Sequence, residues 1–219
     1  MRMTAVLTLV VAFCYGCNDV GTDEPVEDWR RAAEQGDARA QCNLGVRYYY
    51  GEGVPRDYAE ELKWYHKAAE QGHARAQFNL GVYYAFRDRY AFREGVPRDD
   101  PLKWYRKAAD QGDAAAQCNL GVCYARGLGV PRDHAEAVKW YRKAADQGDA
   151  NAQFNLGLAY LEGQGVPKDL AFAYKWLYVA GIRDADARAR RQRLGQSMTR
   201  EQIAEGRRLA REWLEAKTL

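Results

Sequence analysis

Side chains that could carry covalent chemistry are few in this chain and poorly spaced for it. Ser197 is its one serine, and Met198, Thr199 and Arg200 follow it, so the S-x-x-K arrangement of serine acyl-enzyme hydrolases is absent. His66, His73 and His134 occupy unrelated slots, with no H-x-H or H-x-x-x-H spacing that would suit a metal. Each G-x-G precedes Val-Pro rather than a helix start, so no phosphate-cradling loop forms. No catalytic residue, metal site or cofactor is expected. The chemistry that does recur is that of the amide. Asn43, Asn79, Asn119 and Asn155 return at spacings of 36, 40 and 36 residues, inside helical patterns where Asn is unfavourable. Two readings stay open. Each amide ties its helix to a neighbour, as buried polar groups require, or it offers a donor and an acceptor to the backbone or terminal carboxylate of a bound segment. Arg39 and Arg75 stand four residues before two of these Asn, where Ala115 and Asn151 stand later. A binding face would therefore be basic at one end, which suits an acidic or C-terminal-carboxylate ligand.

The elements that position these residues are written in repeated phrases. K-W-Y-x-K-A-A-[ED]-Q-G places Trp64, Trp104 and Trp140 in register, with Trp176 in a decayed fourth copy. A-x-A-Q-[CF]-N-L-G carries Leu44, Leu80, Leu120 and Leu156, and G-V-P-[RK]-D carries Pro55, Pro97, Pro131 and Pro167. Periods in this range mark solenoids, whose units bury apolar surface only against their neighbours. Ala40, Leu44, Gly45 and Tyr48 form one face of a helix. Gly36, Gly72, Gly112 and Gly148 end the preceding helices. Asp37, Asp113 and Asp149 then cap the next ones, with His73 the exception. Asp57, Asp133 and Asp169 cap the second helix of each unit. Cys42, Phe78, Cys118 and Phe154 share one slot, which must be apolar core.

These phrases resemble the Sel1-like repeat, a relative of the tetratricopeptide repeat, over residues 26–182. The resemblance implies an all-α, right-handed α-solenoid of stacked antiparallel helix pairs. It also implies an adaptor or scaffold, often exported in bacteria, that binds a protein or peptide on a concave face lined by the first helices. Some exported members are cysteine-rich and have been named as β-lactamases; this chain lacks their cysteine pairs. A β-lactamase or penicillin-binding type hydrolase is thus an alternative by analogy alone, and a secreted effector is another. The expected function is non-enzymatic protein binding.

The remaining segments frame this array. Residues 1–17 read as a signal peptide, with one basic residue, an apolar run and Gly16-Cys17 at its end, which makes Cys17 a candidate for lipidation. Residues 18–25 are a linker, and the array opens at 26 with a half repeat. Residues 183–219 form capping helices, one over 184–194 and one opened by Thr199 with Glu201 and Gln202 behind it. Export to the periplasm or envelope is the expectation, although Cys42, Cys118 and Cys123 form no disulfide pattern. Balanced charge, 33 Lys+Arg against 30 Asp+Glu, argues against nucleic acid as a partner. Arg188, Arg190, Arg191 and Arg193 read as a solvated helix face. The second repeat carries a near-tandem duplication over residues 84–94, read either as tolerated slippage or as a projecting knob in which Tyr90 and Phe92 contact a partner.

Overall fold

The computed structural model describes residues 26–85 and 99–218. The signal segment, Cys17, Tyr90 and Phe92 lie outside the described residues, as does most of the duplication. The described residues form eleven helices and no strand. After α1 (Val26–Glu34) come four pairs: α2 (Ala38–Tyr50) with α3 (Tyr58–Glu70), α4 (Ala74–Ala85) with α5 (Pro101–Asp110), α6 (Ala114–Arg126) with α7 (His134–Asp146), and α8 (Ala150–Glu162) with α9 (Leu170–Ala180). Two further helices follow, α10 (Ala185–Gly195) and α11 (Arg200–Thr218). The all-α expectation holds.

The helix ends are set by local chemistry. Asp37, Asp57, Asp100, Asp133, Asp149, Asp169 and Asp184 each sit in extended backbone and accept from N–H groups of the first helical turn. Such a cap is worth about 1 kcal/mol. His73 is no exception after all: its Nδ1 accepts from the Ala76 N–H at 3.2 Å, which fixes the neutral ring with its proton on Nε2. Thr199 and Gln202 close a reciprocal capping box, at 3.2 and 3.0 Å. Gly112 ends α5 at φ +92°, left-handed backbone that a side chain would strain, with nothing near enough to touch a Cβ there.

Within a pair the helices run antiparallel. Tyr48 O accepts from the Asp57 N–H at 3.1 Å at one end of the first pair, and Gln71 reaches Gln41 at the other. Between those ends, Gly45 faces the Tyr65 ring so closely that a Cβ would lie 2.7 Å from it. Gly81 with Tyr105 and Gly121 with Tyr141 repeat the contact, and Leu177 takes the tyrosine's place against Gly157. The Leu-Gly of the first helix and the Tyr of K-W-Y are thus two halves of one joint.

The chain divides into two compact units, one ending at Ala116 and the other starting at Gln117. In the first, Cys42, Leu62, Tyr65, Ala68, Ala76, Leu80, Tyr84 and Trp104 form a buried cluster. In the second, Ala173, Tyr174, Leu177 and Leu194 are packed under Phe154, Tyr160 and Ile203. Helix α11 closes this unit by lying on α9, with Tyr174 against Gly206 and the Trp213 ring edge-on to Trp176 at 5.7 Å. The shared Cys/Phe slot is core as expected: Cys42, Phe78 and Cys118 are buried, and Phe154 is half-buried.

Candidate functional site

The four asparagines do not share one environment. Asn43 and Asn79 are each only 4% exposed, whereas Asn119 and Asn155 are half-buried. Asn79 Nδ2 reaches back one repeat to Cys42 Sγ at 4.0 Å, and Asn155 Nδ2 makes the same reach to Cys118 Sγ at 3.9 Å. These are weak bonds, since sulfur is a poor acceptor. Among the described residues, Asn43 Nδ2 and Asn79 Oδ1 are buried with no hydrogen-bond partner. In the first unit, therefore, the expected row of accessible amides is covered. In the second, it is open to solvent in part.

The polar tie between helices is carried by glutamine, which the sequence reading passed over. Gln41, Gln77, Gln117 and Gln153, two residues before each Asn, are 3–5% exposed. Gln41 Nε2 donates to Ala33 O, Gln77 Nε2 to Ala69 O and Gln153 Nε2 to Ala145 O, at 2.9, 3.1 and 3.2 Å. Each donation runs from a first helix to the end of the preceding second helix, where carbonyls lack helical partners. The Gln of A-A-x-Q-G then completes the latch. Gln71 donates to Gln41 Oε1, Gln111 to Gln77 Oε1 and Gln147 to Gln117 Oε1, at 2.7–2.8 Å. The signal was present, because Gln41, Gln77, Gln117 and Gln153 recur as strictly as the Asn, and Gln71, Gln111 and Gln147 return in three of the four second-helix phrases.

The arginines expected to set the polarity of a groove separate as well. Arg39 is exposed, but Arg75 is half-buried, with its Nη1 3.7 Å from the Asp113 carboxylate and its guanidinium 4.6 Å over the Phe78 ring. Arg75 thus spans to the cap of the next repeat rather than standing clear as a ligand charge. The second helices carry a different regularity. Lys67 and Lys107, in the last turns of α3 and α5, lie over Trp64 and Trp104 at 4.2 and 4.8 Å; Lys143 and Lys175 lie over Trp140 and Trp176 at 4.0 and 4.3 Å. Each ammonium group thus lies within cation–π range of its indole.

Ser197, on which a hydrolase would depend, donates its hydroxyl proton to Leu194 O at 2.9 Å and so serves the end of α10. Cys118 is buried, and burial pushes its thiol well above the ordinary range, which makes it a poor nucleophile. Among the described residues, Cys42, Cys118 and Cys123 take part in no disulfide. Among the described residues, no group of three or more His, Cys, Asp or Glu could hold a metal ion. No described helix is long and apolar enough to cross a membrane.

The Sel1 repeat model matches residues 38–73, 74–113, 114–149 and 150–181, whose limits follow the helix pairs. Among solved structures, c5321, a protective antigen of uropathogenic Escherichia coli displaying an SLR fold, is 35% identical with a TM-score of 0.78. The match covers 90% of this chain and 43% of that one. A Sel1 repeat protein from Oxalobacter formigenes is 34% identical with a TM-score of 0.68, over 77% of this chain and 48% of that one. The chain therefore spans less than half the length of either structure. No curated protein is significantly similar to it in sequence. With four consecutive copies over most of its length, the chain belongs to the Sel1 repeat family, whose members generally act as non-catalytic mediators of protein–protein interaction.

Proposed function

We propose that this chain is a non-enzymatic scaffold or adaptor of the bacterial envelope that binds a partner segment along the open faces of its first helices. One observation carries the reading. On α8, Asn151, Asn155 and Leu158 fall on one face at i, i+4 and i+7, and all three are partly exposed. On α6, Asn119, Val122 and Arg126 repeat that face at i, i+3 and i+7, again open to solvent. Each stripe joins an amide, which can pair with a peptide backbone, to an apolar side chain that can cover it. The corresponding Asn43, Val46 and Asn79 are buried, so the accessible stripe is concentrated on α6 and α8. Variation supports recognition too: Arg39, Arg75, Ala115 and Asn151 differ in a slot whose neighbours, the latch glutamines, do not. The envelope assignment rests on residues 1–17.

A photo-crosslinking amino acid at Leu158 tests the surface in living cells. It should capture a partner that the same label at exposed Lys139, on second helix α7, does not. Equal capture at both positions would remove the face assignment. Fractionation tests the location: envelope recovery with loss of the first residues is expected, and a wholly cytosolic protein retaining Met1 would contradict it.

A further inference from the structure

Arg191 departs from the solvated face expected of its cluster. It is half-buried, and its guanidinium stacks 4.7 Å from the Tyr178 ring and 5.9 Å from Tyr174. Tyr174 and Tyr178 on α9, Arg191 on α10, and Arg207, Arg211 and Leu214 on α11 line one cleft of about 360 Å³. Arg207, Arg211 and Leu214 reach it together because i, i+4 and i+7 share a helix face. Two acidic residues of α11 are engaged by an arginine outside the cleft lining. Arg208, pointing elsewhere, takes both Glu205 and Glu212. None of the ion pairs among the described residues involves Arg191, Arg207 or Arg211. Arg207 Nε donates to Tyr174 Oη at 3.5 Å, which joins α11 to α9 at the cleft wall.

We infer that this cleft between α9, α10 and α11 is an anion site for a phosphate dianion carried on a small organic body. Three guanidiniums around one space are poorly matched to a single carboxylate, which offers two oxygens and one charge. A phosphate offers three oxygens and about two charges, and Arg binds it through paired N–H bonds. The Tyr174 and Tyr178 rings and Leu214 supply apolar wall for the group that bears the phosphate. The site is distinct from the α6 and α8 stripes and does not depend on their role.

Titration of the full chain with phenyl phosphate, inorganic phosphate and benzoate, followed by amide chemical shifts, tests the assignment. Phenyl phosphate should bind saturably, about tenfold or more tighter than benzoate, with shifts confined to α9, α10 and α11. The double change Arg207→Gln, Arg211→Gln should weaken it at least about tenfold, as losing two charge-assisted contacts requires. The pair Arg188→Gln, Arg190→Gln, on exposed positions of α10, removes the same charge and should leave binding nearly unaltered. Inorganic phosphate binding as tightly as phenyl phosphate would assign the site to the free ion. Absence of saturation, benzoate binding equally well, or equal weakening by the α10 pair would overturn the inference.

Discussion

Replacing Gln77 by Met keeps the side chain's volume and removes only its hydrogen bonds. Gln77 is 4% exposed, donates to Ala69 O at 3.1 Å and accepts from Gln111 Nε2 at 2.7 Å. Both partners keep an alternative: Ala69 O still accepts from the Gly72 N–H at 3.0 Å, and Gln111 still reaches Lys107 O at 3.4 Å. Stranding penalties are therefore small, and the loss is that of two net hydrogen bonds, about 1–2 kcal/mol. Gln77→Ala adds a cavity and should cost about 2–4 kcal/mol. Urea unfolding of the purified protein, followed by circular dichroism, measures both. An internal control is built in. In the last repeat Arg183 follows α9 where a latch Gln would stand, and the side chain of Gln153 has one hydrogen bond among the described residues, to Ala145 O. Gln153→Met should cost about half as much as Gln77→Met, at about 0.5–1 kcal/mol. A double-mutant cycle of Gln77→Met with Gln111→Ala should show coupling of about 0.5–1.5 kcal/mol. If Gln77→Met stays within about 0.3 kcal/mol of the parent, or the cycle is additive, the latch is not a stabilising element and the reasoning fails.

Gly81→Ala should destabilise the first unit by about 1–3 kcal/mol in the same assay, because its Cβ would lie 2.5 Å from the Tyr105 ring; a neutral or stabilising result would mean that ring yields freely. Burial lowers the pKa of His73 from 6.5, with Asp37 opposing and Arg39 assisting, and burial lowers that of His66 too. The folded protein then binds fewer protons than the unfolded chain just below that value. Stability should be complete above about pH 6.5 and be lost as pH falls through the depressed folded pKa, which unfolding across pH 4.5–8 checks. His73→Asp should flatten part of that fall while keeping the α4 cap, and an unchanged profile would exclude His73 as its source. Cys42 and Cys118, 0% and 4% exposed, should react with a thiol reagent only on unfolding, so labelling of the native protein at the rate of a free thiol would contradict their placement.

The sequence by itself determined the helices, their ends and the slots that face the core. Those signals act within one turn or one joint. An Asp bonds N–H groups two or three residues on, a Gly enters left-handed backbone, and a 3.6-residue stripe names its buried face. The reading of Thr199 as the start of the last helix, and of Cys42 as the counterpart of Phe78, needed nothing further. Only the tertiary structure decided how equivalent slots differ. Asn79 and Asn119 stand in the same phrase, yet one is sealed and the other partly open, because exposure depends on what packs across the helix rather than on the phrase itself. Arg75 was legible as a surface charge, but its pairing with Asp113 needs the next repeat's position. Arg191 looked like one of four solvated arginines until α9 placed two tyrosine rings beneath it and α11 set two more guanidiniums beside it. The Gln latch was missed for the same reason. A helix pattern says which way a side chain points, whereas the partner it meets is fixed by the angle and register of the helix opposite.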